Sequence, residues 1–159
     1  MKHYLAPTLA ACIALGFAVE ASGETGTLNH IRSSYDTCQK TGGDMSEFFE
    51  SAKVNVDGDT VTFATKTKEH GVIEMVWDVD GIVRRGEDHH HLADGTVLPF
   101  LPAHEATFWK DGSIVREEVT FLPDNTFVLE TNTLTIAEDG ALDYKLELDE
   151  TLLLSATCS

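Results

Sequence analysis

The chain has 159 residues, 42% of them hydrophobic and 24% charged, which fits one globular domain and excludes long disorder, collagen and a polytopic membrane protein. Against 27 acidic residues stand only 11 basic ones, a net charge of −16. So acidic a chain repels phosphate backbones and anionic headgroups, which excludes a nucleic-acid partner and disfavours an anionic membrane surface.

Residues 1–21 read MKHYLAPTLAACIALGFAVEA: a basic Lys2, an uncharged apolar stretch from Leu5 to Val19, and short side chains at Val19 and Ala21. This is the pattern of a secretory signal peptide cleaved after Ala21, and the apolar run is short for a transmembrane helix. Leu9-Ala10-Ala11-Cys12 offers a competing cleavage, because it resembles a bacterial lipobox in which Cys12 would be lipidated. Cleavage after Ala21 leaves residues 22–159 as a single barrel-like domain, periplasmic or extracellular in a bacterium, with no stable membrane insertion.

Two cysteines then remain, Cys38 and Cys158. An even pair in an oxidising compartment predicts a disulfide. There is no Cys-x-x-Cys to suggest redox exchange.

Two short helices are expected first. Leu28, Ile31, Tyr35 and Cys38 recur at steps of three and four, with Gly42-Gly43 as a stop. Asp44 and Glu47 resemble a capping box that would place Met45, Phe48, Phe49 and Ala52 on one face. From Lys53 onward the pattern has period two, punctuated by Asp57-Gly58, Asp80-Gly81, Asp94-Gly95, Asp111-Gly112, Asp124-Asn125 and Asp139-Gly140. Such dipeptides supply the positive φ of tight hairpins. Val61, Phe63 and Thr65 share one predicted face, and Ile73, Met75, Trp77 and Val79 another. Val115, Val119 and Phe121 are expected inward although Glu117 breaks that face. Thr126 to Ile136 is long enough to bend or bulge. Leu142, Tyr144, Leu146 and Leu148 alternate cleanly with polar residues, and Leu152, Leu154, Ala156 and Cys158 share a side.

The pattern predicts an all-β fold, an antiparallel up-and-down barrel or sandwich of about 8–10 short strands behind short N-terminal helices. In its succession of hairpins and its C-terminal cysteine the outline resembles the calycin, or lipocalin-like, barrels. The Gly-x-Trp that opens a lipocalin barrel is missing, since Trp77 and Trp109 follow Val76 and Phe108. The opening helices before strands also resemble the cone folds of nuclear-transport-factor-like proteins, but the many hairpin turns argue against that outline.

Chemistry could sit in three places. Glu87-Asp88-His89-His90-His91, with His104-Glu105 further on, offers His89, His91 and His104 as ligands for zinc or another divalent metal. The His-x-His resembles that of the cupin barrels, without the glutamate that follows it there. A solvated loop or edge strand is the competing reading, and no cofactor is otherwise expected. Arg84-Arg85 would grip an anionic ligand or neutralise Glu87 and Asp88. Leu98-Pro99-Phe100-Leu101-Pro102 would plug the core, or form the lip of an apolar cavity lined by Phe100, Phe108, Trp109 and Tyr144. The reading favoured overall is an exported barrel that binds a small apolar or amphipathic molecule. The alternatives are a filled structural or interaction domain, and a metal-dependent enzyme built on the histidines. No catalytic residue stands out.

Overall fold

The computed structural model describes residues 34–46, 48–91 and 96–159, with 89–91 described by backbone alone. Within them the chain is entirely β. Eleven strands run in order: β1 (Ser34–Tyr35), β2 (Cys38–Gly42), β3 (Phe49–Asp57), β4 (Thr60–Thr67), β5 (Gly71–Asp78), β6 (Arg84–His91), β7 (Val97–Lys110), β8 (Ser113–Phe121), β9 (Phe127–Ile136), β10 (Leu142–Leu148) and β11 (Thr151–Cys158). They form a four-stranded sheet, β1-β3-β4-β5, and a seven-stranded sheet, β2-β11-β10-β9-β8-β7-β6. Every pairing is antiparallel. The smaller sheet packs over part of the larger one. The result is two open sheets and not a closed barrel.

The expected alternation is realised on β4, where Val61, Phe63 and Thr65 are all buried. It is realised too on β10, where Leu142 and Tyr144 are buried and Leu146 packs against the core. Phe63, from the small sheet, lies 5.4 Å from Tyr144 of the large one, 5.9 Å from Phe49 and 6.0 Å from Trp77, measured between ring centres. Phe49 also meets Tyr144 edge-on at 5.4 Å. Such tilted aromatic contacts add to the large area each ring removes from water. The cluster fills the space where the sheets meet.

The two N-terminal helices do not form where the chain is described. Leu28, Ile31 and Glu47 lie outside the described residues, as do the signal peptide and Cys12. Tyr35 and Cys38 are on β1 and β2, and Phe49 and Ala52 are on β3. The helix-like spacing of Phe49 and Ala52 has a definite origin. A bulge between Phe49 and Ser51 inserts one residue, so two residues three apart both point inward.

Bulges correct other expectations as well. One opposite Leu146 and Glu147 pairs Leu154 with Leu146 but Leu152 with Glu147, which takes Leu152 off the face of Leu154, Ala156 and Cys158. β9, by contrast, pairs on both sides without a register shift. On β8 the inward residues are Ile114, Arg116, Glu118 and Thr120, opposite in phase to the expected Val115, Val119 and Phe121; Val115 is buried all the same, outside the core cluster, while Phe121 is 40% exposed.

Cys38 and Cys158 form the disulfide, and their backbones pair directly across β2 and β11. Closing a loop of this size stabilises by about 4–5 kcal/mol as an upper guide. Among the described residues no helix is long and apolar enough to cross a membrane.

Candidate functional site

The inner face of the large sheet changes character along its strands. Pairing gives one row of Trp109, Ile114, Leu134, Tyr144 and Ala156, which the small sheet covers. The next row is Thr107, Arg116, Asn132 and Leu146. Beyond it come Arg84, Glu105, Glu118 and Glu130, and then Gly86, Ala103, Thr120 and Val128. Three glutamates thus stand side by side on adjacent strands, an arrangement that repels itself unless a cation intervenes.

Arg116 is that cation. Its Nε and Nη2 donate to Glu105 Oε2 at 3.0 and 2.7 Å, and Nη2 also donates to Glu118. Its Nη1 is 3.6 Å from Glu130 Oε1. Burial works against the charge of Arg116, but Glu118, Glu105 and Glu130 outweigh it and hold the guanidinium above its ordinary pKa. The network continues inward. Asn132 Nδ2 donates to Glu130 at 2.7 Å, and Tyr144 Oη donates to Asn132 Oδ1 at 2.6 Å. Burial pushes the Tyr144 phenol up, so it stays a hydrogen-bond donor at neutral pH. A continuous polar chain therefore leads from the aromatic core to the surface, each buried group with a partner.

At its outer end Glu118, Asp88 and Thr120 meet. The Thr120 hydroxyl donates to Asp88 Oδ2 at 3.2 Å. Burial raises the Glu118 carboxyl, Arg116 opposes this, and the charges of Asp88 and Glu130 with a hydrogen bond to Asp88 raise it further. A carboxyl beside a carboxylate holds a proton that neither would keep alone. Gly86, Glu87, Asp88, Ala103, Glu105, Arg116 and Glu118 line a cleft of about 230 Å³. A second shallow cleft of about 240 Å³ lies between Thr133, Lys145 and Ser155. Both are smaller than the ~300 Å³ at which small-molecule pockets begin. The first is acidic, and its one cation is already engaged by carboxylates.

Of the sequence-predicted residues, Tyr144 belongs to this network and the others fall elsewhere. Tyr144 and Trp109 lie on the inner face against the core, while Phe108, next along the same strand, faces the other way. Phe100 is 74% exposed at a bulge in β7, where Pro99 and Phe100 stand opposite His89. The Leu98–Pro102 segment is strand beside the edge strand β6, a place where proline is tolerated. His104 pairs with Arg85 and Val119, and its ring stacks edge-on with Phe121 at 5.4 Å. The register does not bring it beside the triplet, because His90 and His91 pair with Leu98 and Val97. Among the described residues no three His, Cys, Asp or Glu side chains are grouped to hold a metal ion. Arg84 engages Asp80 at 2.7 Å and Asp78 at 3.3 Å, and not Glu87 or Asp88. The Arg116 cluster is hidden in the sequence because the apolar residues of β8 suggest the opposite phase to the one its pairing gives. Glu130 and Asn132, polar at alternate positions between Val128 and Leu134 on β9, are the signal for it.

Comparison of the chain with protein-family models and with curated protein sequences finds no match.

Proposed function

We propose that this chain is an exported, disulfide-closed β-sandwich that acts as an interaction domain through its surfaces, with no ligand held between its sheets. The observation that carries this reading is the aromatic cluster of Phe49, Phe63, Trp77 and Tyr144, which occupies the space an apolar ligand would need. The disulfide supports an oxidising destination. Both open clefts are small, and the one at Arg116 is acidic, unlike the apolar concavities that enclose small molecules.

Removing the central ring tests the reading. Phe63 is fully buried, so Phe63→Ala should cost about 3–5 kcal/mol in chemical denaturation. The native protein should not take up Nile red stoichiometrically, whereas the variant, with a new void between the sheets, should gain dye binding. Stoichiometric uptake by the native protein, displaced by a fatty acid, would restore the ligand-binding barrel as the better account.

A further inference from the structure

Among the described residues the sheets end in strands β1, β5, β2 and β6. An open strand edge is a template for another chain, and proteins that do not use it blunt it. β1 is only 2 residues long. β2 is 5 residues long, carries Lys40 and is tied to β11 by the disulfide. β6 begins Arg84-Arg85-Gly86-Glu87-Asp88, dense in charge. β5, sequence GVIEMVWD over 8 residues, is neither short nor held by a disulfide, and its only charges are Glu74 in mid-strand and Asp78 at its end. β4 is its strand partner, and Val72 is 69%, Val76 60% and Ile73 41% exposed.

The chemistry along β5 is specific. Val72, Glu74 and Val76 alternate on the outer face, and Ile73, Met75 and Trp77 point toward the core side. An added strand would meet an apolar row on one face. On the other it would meet a single carboxylate between two valines, and an opposite charge directly across stabilises a strand pair. A second copy joined β5 to β5 fits poorly. β5 contains no Lys, Arg or His, so no β5-to-β5 register gives Glu74 a cation, and each copy brings a net charge of −16.

We propose that β5 is a docking edge for an extended segment of a partner protein, apolar on alternate residues and basic opposite Glu74, which adds to the small sheet as its next strand. This rests on the surface-acting reading above. Dye uptake tests that reading, and the peptide results below speak to β5 alone.

The probe is a short end-capped peptide of alternating valine and lysine, labelled for fluorescence anisotropy and mixed with the mature protein at physiological ionic strength. It should bind, and N-methylation along its pairing edge should weaken binding by at least about tenfold, because main-chain hydrogen bonds carry strand addition. The valine–glutamate counterpart should not bind. Glu74→Lys should shift preference toward the glutamate peptide by about threefold or more, while Glu87→Lys on β6, an equal change in net charge, should leave it unaltered. Equal binding of the N-methylated peptide, or a preference that Glu74→Lys does not move, overturns the proposal. Self-association in sedimentation that Glu74→Lys abolishes would make the occupant a second copy and overturn it too. So would binding that appears only after residues 22–33 are removed, which would give the edge to this chain's own segment.

Discussion

At Glu118 burial and the nearby charges of Asp88 and Glu130 disfavour ionisation, and Arg116 favours it; the first effects win and the carboxyl is raised. The sign of the consequence follows from proton counting. An unfolded Glu118 ionises in the usual carboxylate range, while the folded one still holds its proton. Between those two pKa values the folded state binds more protons, so stability falls as pH rises. Above the folded value the penalty is complete and constant. Glu118→Gln keeps the shape and removes the penalty. The variant should therefore melt close to the wild type near pH 4 and above it at pH 7, with the gap opening as pH rises. Scanning calorimetry across that range checks it, and a gap that closes with rising pH would contradict the assignment. Arg116 is a different case, because its removal leaves three facing glutamates without a counter-charge.

Strand elements here are shaped by where the backbone comes close as much as by side chains. Gly43, just after β2, has φ +86°, and a Cβ added there would lie 2.2 Å from the Leu153 carbonyl oxygen. Neither can give, since both are backbone. Gly43→Ala should cost more than about 2 kcal/mol. Gly86, on the cleft wall, has nothing within 4 Å of the same position, and Gly86→Ala should be neutral or stabilising by about 0.5–1 kcal/mol. Denaturant midpoints of the two variants decide this, and similar losses at both positions would refute it. The same local view explains what could be read in advance. β4 and β10 are legible because Val61 and Phe63, and Leu142, Tyr144 and Leu146, hold alternate positions and neither strand carries the extra residue of a bulge. The hairpin at Asp111-Gly112 was legible because both residues take positive φ, 51° and 78°, which that dipeptide tolerates. The turn at Asp149-Glu150 takes positive φ at both residues without a glycine, so it carried no signal. Bulges at Phe49 and Leu153 reset the phase of a strand, so a strict period of two does not predict the face beyond them. The Arg116 site was hidden for a related reason. Polar residues on the inner face of β8 make sense only once the small sheet is known to cover part of that face and not all of it.

For the whole molecule, composition sets a field that no single contact removes. With 27 acidic and 11 basic residues, most carboxylates have no basic side chain to meet. Exposed pairs such as Lys68–Glu50 and Lys145–Glu147 are each worth about 0–1 kcal/mol and are themselves screened by salt. Repulsion among the remaining carboxylates acts over the full surface. Its range contracts from about 30 Å at 0.01 M to about 8 Å at 0.15 M ionic strength. The unfolded chain spreads the same charge over a larger volume, so screening favours the folded state more. The Arg116 network is partly buried and less screened, so salt should not dismantle it. The melting temperature of the protein should therefore rise between about 0.01 and 0.5 M sodium chloride, and the rise should shrink at pH 4, where many carboxylates are neutral. A melting temperature that falls with salt at pH 7 would mean that exposed ion pairs outweigh the repulsion.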